Sequence, residues 1–153
     1  LLIQLSKTTH MKNVLTLITA ALFFLIFGSC GGNKDKLLGK WERFDDESSG
    51  SVIEISKIGS YMEGKLTHPS GNLVEQRFEP GDIKWKEIVP DTKEKKRYSG
   101  KDLYKRLDAD NNVKEAEYMD IYFEFLSNDI IQILDPSGSQ GGINKPQKWR
   151  RIN

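Results

Sequence analysis

The chain has 153 residues, 29% of them charged, with 23 Lys+Arg against 22 Asp+Glu, two histidines and one cysteine. That length suits one domain. The near-zero charge balance argues against a nucleic-acid binder and an acidic disordered tail, and one cysteine permits neither an internal disulfide nor a thiolate zinc site.

The first 29 residues stand apart, with no Asp or Glu and only Lys7 and Lys12 as cations. Leu1–His10 shows no cap or turn chemistry, and the true start is expected at Met11. From there Met11-Lys12-Asn13 forms a short positive head. Val14–Phe27 is a 14-residue apolar run broken only by Thr16 and Thr19, and the small residues Gly28-Ser29 lead to Cys30. Charged, apolar and small-residue regions in that order make a secretory signal, and the run is short of the roughly 20 residues that span a bilayer. Phe27-Gly28-Ser29-Cys30 resembles the lipobox of bacterial lipoproteins, with Phe27 where Leu is usual. The resemblance implies that the Cys30 thiol takes up diacylglycerol, becomes the mature N-terminus and anchors the protein in the cell envelope, with the outer membrane expected. Residues 30–36, with Gly31-Gly32-Asn33-Lys34-Asp35-Lys36, then form a polar tether, and 37–153 is the folded domain.

In that domain short alternating stretches are separated by turn clusters. Strands are expected at Trp41–Phe44, from Val52, over Tyr61–Thr67, Leu73–Phe78, Ile83–Ile88, Arg97–Leu107, Met119–Phe125, Ile130–Leu134 and Gln147–Ile152. The breaks fall at Asp45–Gly50, Pro69–Asn72, Pro80-Gly81, Pro90, Asp108–Asn112, Ser127–Asp129 and a Gly-rich loop at Asp135–Gly142. Eight or nine strands of period 2 with regular turns predict an all-β sandwich or barrel. One short helix is expected near Lys36–Leu38.

Gly39-Lys40-Trp41 at the start of the domain and Trp149-Arg150-Arg151 at its end resemble the pattern of lipocalins and their wider calycin relatives, and with Tyr98-Ser99-Gly100 near the middle the layout resembles a bacterial lipocalin-like family of unknown function. The resemblance implies a small antiparallel barrel of about eight strands. It also implies that an arginine of the last strand, Arg150 or Arg151, packs across Trp41 and closes one end, with Gly39 beside it. The Thr-Asp-Tyr element and disulfide cysteines of typical secreted lipocalins are missing. Lipocalin-like folds bind small apolar molecules, so Trp41, Phe44, Trp85, Phe123 and Phe125, on plausible inward faces, are the expected ligand lining, or else core that plugs the barrel.

Other motifs read plainly. Lys40-Trp41-Glu42, Lys84-Trp85-Lys86 and Lys148-Trp149-Arg150 interleave aromatics with cations as nucleic-acid binders do, but alternation gives rings inward and charges in solvent. Asp108–Asn112 begins like a calcium loop, yet Val113 and Met119 stand where the loop needs Gly and a bidentate Glu. His68, alone in the mature part, lies beside the Pro69 turn with no evident nucleophile. Lys93–Arg97 and Lys145–Arg151 are basic clusters that could meet anionic headgroups or a partner. The expectation is therefore a non-enzymatic lipoprotein without metal or cofactor, whose barrel holds a small apolar or amphipathic ligand. The rival is an interaction module with a filled barrel that presents Asp135–Gly142 and the turn 45–50 to an envelope partner.

Overall fold

A computed structural model describes residues 35–94, 96–136 and 146–153; Cys30 and most of the Gly-rich loop, residues 137–142, lie outside them. Residues 36–153 form one compact unit. Its elements are β1 (Gly39–Phe44), β2 (Val52–Ile58), β3 (Tyr61–His68), α1 (Asn72–Glu75), β4 (Ile83–Pro90), β5 (Arg97–Leu107), β6 (Val113–Ser127), β7 (Ile130–Leu134) and β8 (Gln147–Ile152). The strands pair antiparallel in sequence order, and β8 returns to β1, closing an eight-stranded barrel. Where all eight strands pair in turn, closure leaves no lateral edge for a foreign strand to join.

Period-2 alternation sets the wall. Ile53 and Ile55 of β2, Met62 and Leu66 of β3, Ile121 and Phe123 of β6, and Ile131 and Ile133 of β7 are all buried, while their neighbours are not. The predicted strand over Leu73–Phe78 is instead α1 and a following turn. Gln76 N–H donates to Asn72 O (2.9 Å) and Phe78 N–H to Leu73 O (2.9 Å), which buries Leu73 and Phe78 on one side. The helix expected near Lys36–Leu38 is only a turn.

An up-and-down barrel sorts its connections. Those after β1, β3, β5 and β7 lie at one end, here called the far end. Those after β2, β4 and β6 lie at the near end, where the chain also enters before Gly39 and leaves after Ile152. The far end is asymmetric. β4 pairs with β5 only up to Asp102, and β7 pairs with β6 only from Tyr122 onward. Over Leu103–Leu107 and Val113–Ile121 the two strands pair only with each other among the described residues, a ribbon that runs past its neighbours.

Candidate functional site: the barrel interior and its two ends

The near end is closed by the seam between β1 and β8. Register sets Arg151 opposite Trp41 and Trp149 opposite Arg43. Opposite residues in an antiparallel pair share a face, so each tryptophan meets an arginine. The Arg151 guanidinium lies 4.4 Å over the Trp41 ring, and that of Arg43 lies 5.8 Å from the Trp149 ring. Arg151 also donates to Leu38 O (2.7 Å) and to Lys36 O, and Trp41 Nε1 donates to Leu37 O (2.8 Å). Arg151 is thus the arginine that faces Trp41. Arg150 points outward, pairs with Glu42 at 2.6 Å and lies 5.8 Å from Phe44. Gly39 has φ +117, and a Cβ there would come within 3.0 Å of an Arg151 nitrogen. The seam needs glycine both for its backbone and for the arginine.

Inside, the aromatic rings touch. Trp85 meets Phe123 at 5.1 Å and Trp149 at 4.8 Å, both edge to face, and Phe125 bridges Trp41 (6.2 Å) and Tyr98 (6.1 Å). Two strands lack side chains where these rings press closest. A Cβ on Gly64 would lie 2.8 Å from Trp85 Cε3 and 3.0 Å from Ile53. One on Gly100 would lie 3.1 Å from both Ile88 and Phe123. Of the expected lining, Trp41, Trp85 and Phe123 are fully buried and Phe125 is half-buried beside Trp41. Phe44 sits apart from them, sharing its strand face with Glu42 and lying against Arg150.

Toward the far end the interior becomes polar. Lys84, expected in solvent, is buried, because β4 bulges: Gly64 lies opposite Trp85, yet Lys65 lies opposite Ile83, so Lys84 is the extra residue. A bulge re-aims its side chains and puts two successive residues inside. The Lys84 ammonium donates to Asp102 (2.5 Å) and to Leu103 O (2.6 Å) and lies 4.9 Å from the Phe78 ring. Burial holds it below its ordinary value, against the pull of Asp102, and the cations Arg43 and Lys105 push the same way as burial. Lys105 covers Phe78 at 4.6 Å and pairs with Asp82 at 2.6 Å. Burial alone would raise the Asp82 carboxyl, but the Lys105 hydrogen bond and the Glu79 N–H outweigh it and hold Asp82 low. Arg43 is held by both oxygens of Asp46 (2.7 and 3.0 Å). With carboxylate, carbonyl and ring face around it, the Lys84 ammonium is fully engaged as a structural group.

Two donors stand out against this. Trp85 Nε1 and Trp149 Nε1 are buried without a hydrogen-bond partner. His68 is exposed at the end of β3. Asp108 caps its own hairpin, its Oδ1 accepting from the N–H groups of Asp110 and Asn112 (2.9 Å each). Among the described residues no cluster of three His, Cys, Asp or Glu side chains is arranged to hold a metal.

The sequence marks Trp41, Trp85 and Phe123, and Gly100 within Tyr98-Ser99-Gly100, but misses that Gly64 and Gly100 make room for the rings; their signal for that is to occur in step with Met62 and Leu66, and with Tyr98 and Asp102. Alternation already turns the Trp149 ring inward, though Trp149 is absent from the expected lining, and Lys84 as an interior cation is missed. No protein-family model, curated protein or solved structure matches the chain.

Proposed function

We propose that this is an acylated protein of the bacterial cell envelope, held by Cys30, whose filled lipocalin-like barrel acts as an interaction module through its surface and loops. The observation that carries the reading is the contact of Gly64 and Gly100 with interior rings. The wall gives up two side chains so that Trp85, Phe123, Ile53 and Ile88 can close on each other. An eight-stranded barrel is just wide enough to be filled this way. The β5–β6 ribbon is the element such a module would present. Neither of its edges pairs with a further strand, although Leu103 O on the β5 edge accepts from Lys84, and Tyr104 and Met119 stand exposed on one face; an edge without a neighbouring strand suits strand addition by a partner.

A second reading, a barrel that carries a small amphipathic ligand, is favoured by the unpartnered indole N–H groups of Trp85 and Trp149. A buried donor without an acceptor costs about 1–3 kcal/mol, and a ligand oxygen would relieve it. Titration with N-phenyl-1-naphthylamine separates the two. The interaction module gives no saturable rise in dye fluorescence, whereas a stoichiometric, saturable rise would refute the filled barrel and favour the carrier. The anchor is tested apart from both: palmitate labelling is lost in Cys30→Ser, and unchanged labelling rejects acylation at that residue.

A further inference from the structure

We infer that the near end of the barrel is a docking surface for an anionic lipid bilayer. Three connections make this rim, and each brings one exposed apolar side chain to it. Ile58 precedes the β2–β3 turn (42% exposed), Val89 is the last residue but one of β4 (37%), and Leu126 lies just before the β6–β7 turn (51%). Leu126 is the extra residue of a bulge, since Phe125 lies opposite Ile131 and Ser127 opposite Ile130. β2, β4 and β6 alternate around a closed barrel, so the three apolar groups are spread around the rim.

Charge follows the same axis. The near-end connections and the two strand residues beside each, over 35–40, 57–62, 89–98, 126–131 and 151–153, hold eight cations against four carboxylates. The same reckoning at the far end, over 43–53, 67–84, 106–114 and 133–148, gives seven cations against nine carboxylates. Two near-end acids are already matched within the fold: Asp91 pairs with Arg97 (2.9 Å) and Asp129 with Arg151 (3.5 Å). Lys93 and Lys96 stand exposed on the β4–β5 connection. Apolar side chains among lysines are the composition of a headgroup-level contact, where each basic residue adds electrostatic attraction and the apolar groups sink into the acyl boundary.

The inference rests on the acylated reading for what brings the bilayer close. The chain enters the barrel at this same end, and the six residue-to-residue steps from Cys30 to Lys36 reach at most about 20 Å when fully extended. A lipid at Cys30 therefore holds this rim, not the far end, near the headgroups. The ribbon then points away from the membrane.

The test uses the chain from Gly31 onward, which keeps the whole compact unit and no acyl site, and is sedimented with vesicles. Binding is expected to phosphatidylcholine vesicles containing phosphatidylglycerol, weakening with added salt, and not to phosphatidylcholine alone. At about fivefold per lysine near a charged surface, Lys93→Gln/Lys96→Gln loses about 25-fold. Ile58→Ser/Leu126→Ser also weakens binding, and Arg106→Gln/Lys114→Gln at the far end leaves it unchanged. Tryptophan emission confirms that each variant is folded. No binding to the anionic vesicles, equal binding to neutral ones, or an equal loss from the far-end pair would overturn the inference. Palmitate labelling of Cys30 and this assay can each fail without the other.

Discussion

Removing Lys84 alone should cost far more than removing it together with Asp102. The two side chains are 4% and 12% exposed, with nitrogen and oxygen 2.5 Å apart. At that distance, with an effective dielectric constant of about 20, their attraction is about 6–7 kcal/mol. Moving two ions out of water costs several kcal/mol each, so the intact pair is close to break-even against an apolar pair of the same size. Lys84→Met leaves Asp102 buried and uncompensated and strips Leu103 O of its donor, an expected loss of about 3–5 kcal/mol. Asp102→Leu should cost a similar amount by stranding the ammonium. Lys84→Met/Asp102→Leu should cost less than either single change. Urea unfolding read by tryptophan emission gives the cycle, with an expected coupling of about 3 kcal/mol or more. A double variant whose loss equals the sum of the singles refutes the argument. The pH dependence supplies an independent arm. Folding holds Lys84 below its ordinary 10.5, so between the folded and unfolded values the unfolded chain binds more protons. Wild-type stability should therefore rise, relative to Lys84→Met, as pH climbs through the window below 10.5.

Gly64→Ala forces a methyl into Trp85 and Ile53 and should cost about 1–3 kcal/mol by overpacking, with a shifted tryptophan emission maximum; an unchanged unfolding midpoint means the centre is looser than described. Arg151→Met loses the Trp41 contact and two carbonyl hydrogen bonds, about 2–3 kcal/mol, whereas Arg150→Met, which breaks an exposed pair, stays within about 1 kcal/mol. Equal effects in thermal unfolding would place the closure elsewhere. Asp82 is held below its ordinary 3.8, so its stabilising contribution is complete above that value and is lost as pH falls through the lower folded one. Lys105→Gln should raise the Asp82 titration midpoint in carboxyl NMR and move acid unfolding to higher pH.

The strands were legible wherever one side of the alternation is apolar and the other charged, as in Ile121-Tyr122-Phe123-Glu124. Leu73–Phe78 was not, because a helix of four residues is too short to display its own period. The seam was half legible. The end motifs name Trp41 and two arginines, but only the register of β1 on β8 selects Arg151. Lys84 was hidden for the opposite reason. A bulge shifts the count by one, and alternation then assigns an interior cation to solvent. Residues 83–86 read alone contain nothing to mark that slip; it arises from how β4 meets Gly64 and Lys65 on β3.

The Arg151 clamp joins Leu38 to a residue 113 positions later. A chain that has emerged from the ribosome as far as β7 therefore cannot finish its first strand. β1 lacks a partner on one side, and Trp41 lacks its cation. The barrel cannot close until residues 147–152 arrive, and until then β1 and β7 both carry open edges. Loss of the final strand turns the same delay into a hazard, since two copies then offer each other the strand each one lacks.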